Sequence, residues 1–470
     1  MEKVVGSGAL GVAKAEGFYD YTPEQAKRWG EIFLKLVMKF ARSRKGIPKM
    51  SVIEGRRTME FTYNQASRRE FIGSALAAGA SAARLRGASV IPLAPTPQMG
   101  WMSWNQFGQD VSEELVRETA DILVNSGMKT LGYRYLDSTI TGRAAATARS
   151  IPIRNAFPRE SRLLPIMCTP SVYGWASMLG IYSDAAGNTC EGQPGSFGNE
   201  ERDAKTFASR GIDYLKYDYC HVPEDQETAI RRYSTMSAAL RNTGRPIVFS
   251  ICEWGPRQPW LWGGKAGGQL WRTTWDIRDI WKGSFDDTAC GILDIIDHQA
   301  GLNRYAGPGG WNDPDMLVVG LYGNGRYTSP KGYPAPNDIE YRRKMSMWCM
   351  MASPLMVTCD LRKMNAATRE ILTNPEILSV HQDPLGKQAA RVLQDGDREV
   401  WKKPRKGGAL AIALLNRNDG PKTIRARWND FGITGKRRVR DLWQRTELGV
   451  LTDFVELEVS RHGTVALHVA

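Results

Sequence analysis

From Pro97 onward the chain repeats one pattern, a short apolar run rich in β-forming residues followed by a stretch of helical length. The runs are Met99–Trp104, Tyr133–Asp137, Leu179–Asp184, Tyr214–Cys220, Ile247–Glu253, Trp271–Asp276, Gly309–Met316 and Leu355–Asp360. Between them, stretches such as Ser112–Ser126 and Asp225–Asn242 carry apolar residues at the 3.6-residue spacing of a helix with one buried face. Eight strands alternating with helices predict a closed (β/α)8 TIM barrel. Nearly every run ends in a carboxylate, Cys, Trp or Asn, and that end of the strands is where such barrels gather reactive side chains. After His381-Gln382-Asp383-Pro384 the period changes. Val400–Lys402, Ala409–Leu415, Lys422–Trp428, Val439–Leu442, Phe454–Val459 and Gly463–Val469 are short strands with turn residues between them and no long helix. They predict a C-terminal antiparallel β-sandwich. The expected organisation is a barrel over 95–384 and a sandwich domain over 385–470, with no catalytic cluster in the latter.

The N-terminal part reads differently. Ser67-Arg68-Arg69-Glu70-Phe71-Ile72 runs into the Ala/Gly-rich segment 73–80. Paired arginines, an aromatic and a weakly apolar run resemble a bacterial twin-arginine export signal, so segment 67–94 is expected to send the protein to the periplasm or the exterior. The run is too short and too weakly apolar to span a membrane, and no membrane contact beyond export is expected. The alternative is an arginine pair opening an Ala-rich surface helix. A signal belongs at a start, so residues 1–66 are read as an N-terminal extension, and the true start is expected at Met59, just upstream of the arginine pair. Within it, residues 22–41 have the spacing of an amphipathic helix.

Composition changes this picture in three places. The net charge of +13 would suit a nucleic acid. The basic residues are scattered or lie in the first hundred positions, and no zinc-finger, RNP-type or P-loop spacing occurs, so no nucleic-acid partner is expected. Seven cysteines without a Cys-x-x-Cys pair, alongside five histidines, argue against a metal site and leave room for one or two disulfides in an oxidising compartment. Fifteen Trp and sixteen Tyr suit a sugar cleft, where pyranose C–H faces stack on rings, although a large core uses the same residues.

Two strings carry candidate chemistry. In Gly211–Cys220, a buried strand ends in Lys216-x-Asp218, and the two-residue period of a strand puts both side chains on one face. The lysine would keep the aspartate ionised and nucleophilic; a structural ion pair reads equally well from this string alone. In Trp271–Asp279, Asp276 supplies a second strand-end carboxylate two strands round the barrel. Retaining glycosidases use such a pair, one group as nucleophile and one as acid/base. Asp279 competes for the acid role but is expected in the following helix.

These strings, with Met99–Asn105, Leu179–Asp184, Cys252-Glu253-Trp254-Gly255 and Gly307–Met316, resemble glycoside hydrolase family 27, from about Pro97 to the C-terminus and in the family's order. The resemblance implies a retaining α-galactosidase acting on terminal α-D-galactosyl residues of oligosaccharides or glycans, with no metal or cofactor. Asp218 would be the nucleophile and Asp276 the acid/base. Trp104 would stack on the sugar, and Tyr182, Lys216, Cys252, Trp254, Arg272 and Asp315 would line the pocket. Cys190 and Cys220 match a disulfide bracing the nucleophile strand. Glu253 leans towards galactose over N-acetylgalactosamine. The alternatives are β-L-arabinopyranosidase or α-N-acetylgalactosaminidase specificity, or an inactive frameshifted relative. Oligomeric state is not legible.

One stretch departs from the family. After Tyr135 the family continues to a paired Asp-Asp, an aromatic and Trp; here the chain reads Leu136-Asp137-Ser138-Thr139-Ile140-Thr141-Gly142 and stays unfamiliar until Leu179. Read one base out of frame, with only wobble positions free, Asp137–Gly142 can encode LDDYW, the missing motif. Pro158–Cys168 can encode AGIKAIADYV, which suits the helix before the third strand. One offset fits both ends, so compensating frameshifts near residues 136 and 178 are expected, and 137–178 as written is expected to weaken folding and activity. The alternative is a divergent insertion.

Overall fold

The structure is a computed structural model that describes residues 93–141, 178–285, 288–330 and 332–470. The extension 1–66, all but the last two residues of the signal segment 67–94, and the unfamiliar stretch over 142–177 lie outside the described residues. Eight parallel strands follow: β1 Met99–Met102, β2 Tyr135–Thr141, β3 Met178–Asp184, β4 Ile212–Asp218, β5 Val248–Ile251, β6 Leu270–Arg272, β7 Trp311–Asp313 and β8 Leu355–Val357. Their order round the sheet is β7-β6-β5-β4-β3-β2-β1-β8. A parallel bridge between Leu317 and Val357 links the two ends, so the curled sheet is that of a TIM barrel.

The outer layer includes α1 Glu113–Asn125, α2 Glu200–Ser209, α3 Gln226–Asn242, α4 Ile292–Gln299 and α5 Asp338–Met350. Local chemistry starts them: Ser112 accepts from Leu115 N–H, Asp225 from Thr228 N–H, and Asn337 with Glu340 forms a reciprocal capping box.

Several strands differ from the sequence reading. Strand five stops at Ile251, which leaves Cys252, Glu253 and Trp254 in the loop beyond it, with Trp254 at φ +62°. Strand six stops at Arg272; Asp276 opens a separate short strand, 276–277, paired with 289–290. Asp279 lies in a bend and not in a helix. Strand two was expected to end at Asp137 but runs on to Thr141, with its pairing to β3 shifting between Ser138 and Thr141.

The C-terminal part is an antiparallel sandwich of β9 Ala390–Asp395, β10 Arg398–Pro404, β11 Leu410–Asn416, β12 Lys422–Arg427, β13 Lys436–Asp441, β14 Thr446–Thr452, β15 Phe454–Val459 and β16 Thr464–Val469. One sheet runs β9-β10-β11-β16-β13-β14 and the other is β12-β15. The two strands that sequence patterning missed, β9 and β14, are the edges of the larger sheet and mostly exposed, so no buried face imposed a period-two pattern on them.

Candidate active site

The carboxyl-terminal mouth of the barrel collects the charged ends of β3, β4, β6 and β7. Lys216 and Asp218 project from β4, and both are buried. One Asp218 oxygen accepts from the Tyr182 hydroxyl at 3.0 Å and the other from Tyr219 N–H at 3.1 Å. Burial raises the Asp218 pKa; Lys216 pulls it down as the sequence suggested, but burial wins, and neighbouring Asp276 adds to the rise. The Cys252 thiol, itself pushed well up by burial, is a neutral donor towards Asp218. Burial also works against the Lys216 ammonium, yet the negative charges around it, Asp218 and Asp315 among them, outweigh it and raise its pKa. The lysine therefore stays cationic.

Arg272 organises the other side. Its guanidinium, 1% exposed, meets Asp276 at 3.0 Å and Asp315 at 2.9 Å. Asp315 is held in turn: Ile277 N–H donates to its carboxylate at 2.8 Å, its own N–H to Asp313 at 2.9 Å, and Trp348 Nε1–H to its carbonyl at 3.0 Å. These bonds keep it at φ +77°, a left-handed conformation rarely adopted by a non-glycine residue. The Asp276 side chain is 38% exposed, so one carboxylate of the site is sealed in the barrel and the other faces solvent. Trp104 and Trp254 stand half-buried at the mouth, the first stacked on Tyr327 and the second on Trp275. Cys190 and Cys220 form a disulfide, tying the loop after β3 to the chain just beyond Asp218.

Glu253 is not brought in with them. Its carboxylate accepts from Gly255 N–H, Arg257 N–H and the Arg257 guanidinium, all within 3.2 Å, and it is fully buried with a pKa pushed up to about 7 by burial. It holds the Trp254 loop and is not free to meet a sugar. Asp279 is likewise consumed, by the Tyr341 hydroxyl and Gly323 N–H. The sequence reading passed over Asp184, Asp313 and Tyr327. Asp184 is fully buried, accepts from Ala186 and Cys220 N–H, and is pushed up to about 8 by burial and by Asp218. It ends β3, so its strand-end position was the available signal; Tyr327 lies in a Gly-rich loop that offered none.

Residues 96–383 match the family described as alpha galactosidase A, and residues 395–469 match the alpha galactosidase C-terminal beta sandwich domain. The chain belongs to the alpha-galactosidases of glycoside hydrolase family 27. Among this family, the alpha-galactosidase of Cyamopsis tetragonoloba is 41% identical over 377 residues, covering 79% of this chain and 85% of that one. Alpha-galactosidase A of Cellvibrio japonicus is 40% identical over 397 residues, covering 80% and 93%. The crystal structure of alpha-galactosidase I from Mortierella vinacea superposes with a TM-score of 0.73 at 31% identity, covering 81% of this chain and 98% of that one.

Proposed function

We infer that the chain is a retaining glycosidase that removes terminal α-D-galactosyl residues from oligosaccharides or glycans by double displacement. The observation that carries the reading is the pair of unlike carboxylates at the mouth, Asp218 sealed in the barrel and Asp276 open to solvent on the buried Arg272. Asp218, held by the Tyr182 hydroxyl and Tyr219 N–H, attacks the anomeric carbon and forms the covalent glycosyl-enzyme. Asp276 gives its proton to the departing oxygen and then takes one from the water that attacks the intermediate. Arg272, fixed by Asp315, aims Asp276. Cys252, Lys216 and Trp104 bound the sugar's space. Curated relatives at 40–42% identity, all named alpha-galactosidases, favour galactose over the other specificities of the family.

The test is stereochemical and mutational. Proton NMR of the first-formed product should show the α anomer; initial β anomer excludes double displacement. Asp218→Asn should remove nearly all activity on nitrophenyl α-galactoside. Asp276→Asn should cost about 10²–10⁴-fold on unactivated galactosides and less on the nitrophenyl substrate, whose leaving group needs little protonation. Full activity in either variant refutes the assignment.

A further inference from the structure

Asp313 is a buried carboxylate at the barrel mouth that the reaction above does not use. It ends β7 and stands in register with Arg272, the last residue of β6, so both side chains leave the sheet on one face. Its backbone is fixed from the chain just after β6: the Asp313 carbonyl accepts the Thr273 N–H at 2.9 Å and the Thr273 hydroxyl at 3.1 Å. One oxygen of its carboxylate accepts the Asp315 N–H at 2.9 Å.

That last bond reaches the exposed carboxylate of the site. Asp315 sits at φ +77°, where a side chain crowds its own backbone and a non-glycine residue persists only when its neighbours hold it. The Asp313 carboxylate holds its N–H, and the Trp348 indole holds its carbonyl at 3.0 Å. In this conformation the two carboxylate oxygens of Asp315 part. One meets the Arg272 guanidinium at 2.9 Å, and the other accepts the Ile277 N–H at 2.8 Å. Both partners lead to Asp276: Arg272 meets its carboxylate at 3.0 Å, and Ile277 is the next residue in the chain. Asp315 thus fixes Asp276 through side chain and backbone together, and Asp313 closes the turn that aims Asp315.

We propose that Asp313 is a positioning residue for proton transfer: by closing the Asp315 turn it holds Arg272 and Ile277 where they aim Asp276 at the departing oxygen. The assignment rests on the galactosidase reading. Asp313 touches neither the sugar nor the proton. The turn requires an acceptor at the position of its carboxylate; without one, Asp315 relaxes towards negative φ and its two oxygens leave their partners. A misplacement of about 1 Å in a catalytic group can cost on the order of a hundredfold in rate.

The experiment compares two substrates in the full chain. In an α-galactosyl disaccharide the departing sugar must be protonated; in α-galactosyl fluoride the departing ion need not be. Asp313→Ala should lower the disaccharide-to-fluoride ratio of kcat/KM about tenfold, with the fall on the disaccharide carried by kcat and its KM nearly unchanged. Asp313→Asn keeps an acceptor oxygen in the same place and should hold the ratio within about threefold of wild type. Asp313→Leu, which keeps the branched shape without an acceptor, should behave as the alanine variant and stands in for it if that chain does not fold. An unchanged ratio in the acceptor-free variants overturns the assignment. So does an equal fall on both substrates, which would make Asp313 a general brace of the barrel mouth. A loss in Asp313→Asn as large as in Asp313→Ala overturns it as well. A wild-type chain inert on both substrates overturns the galactosidase reading and the assignment with it.

Discussion

Asp137 and Asp218 are both carboxylates buried inside the barrel, and their partners separate them. Asp218 takes a hydroxyl and a backbone N–H. Neither oxygen of Asp137 has a partner among the described residues, and burial pushes its pKa up to about 8 against the pull of Lys216. It fits only because its neighbour across the sheet is Gly180, where an added Cβ would come within 2.7 Å of the Asp137 Cβ. Buried carboxylates in native cores are nearly always bonded, and this one is the first residue of the stretch that reads out of frame. A folded pKa of about 8 lies above the ordinary 3.8, so the folded state holds the proton longer and loses stability as pH rises from about 4 to about 8. Asp137→Asn should therefore raise the unfolding free energy at pH 8 by an amount on the order of several kcal/mol, and with it the denaturation midpoint, and leave both nearly unchanged at pH 4. Equal midpoints for the two chains at pH 8 would contradict this.

At the scale of elements, the sequence reading found all eight barrel strands, because each buried run is bounded by turn and helix signals that need no distant partner. It overran strands five and six, because Cys252 after Ile251 and Thr273, Thr274 and Trp275 after Arg272 are residue types that suit a strand, and only the β-pairing stops there. β2 is the irregular member: its register to β3 breaks after Ser138, at the point where the family's paired Asp-Asp would stand. Those carboxylates would each add a charged hydrogen bond to substrate, worth about 1.5–3 kcal/mol. Rewriting 137–178 in the displaced frame should thus raise kcat/KM on galactosides by at least about a hundredfold and increase the soluble yield. A rewritten chain no more active and no more soluble than the original would show that the stretch is a genuine insertion.

For the whole molecule, the sandwich is part of the barrel's packing. β11 is buried along its entire length. Leu410, Ile412 and Leu414 join the sandwich core, whereas Ala411, Ala413 and Leu415 join the barrel core. Buried Arg343 of α5 reaches the carbonyls of Asn416 and Gly463, and Arg417 bridges Asp297 of the barrel to Glu399 of β10. A chain ending at Pro384 would strip this cover, expose part of the apolar barrel core to water, and take away the carbonyls that hold Arg343. Calorimetry of the full chain should show one cooperative transition, and the truncated barrel should be poorly soluble. Two separate transitions, with a soluble and stable truncated barrel, would show the domains to be independent.

The sequence by itself determined the strand–helix alternation, the strand-end carboxylates, the change to a β domain after Asp383 and the kinship that names the chemistry. These follow from local periodicity and from residue identities at short spacing. The tertiary structure decided which polar groups are free. Lys216-x-Asp218 looked like an ionised pair, but burial raises the aspartate. Glu253 looked like a sugar ligand, yet the turn that follows it claims its carboxylate. Asp276 left its strand for a small sheet of its own, and Tyr327 reached Trp104 from a distant loop. Desolvation and competition for hydrogen bonds depend on every neighbour brought in by the fold, and those neighbours come from segments far apart in the chain.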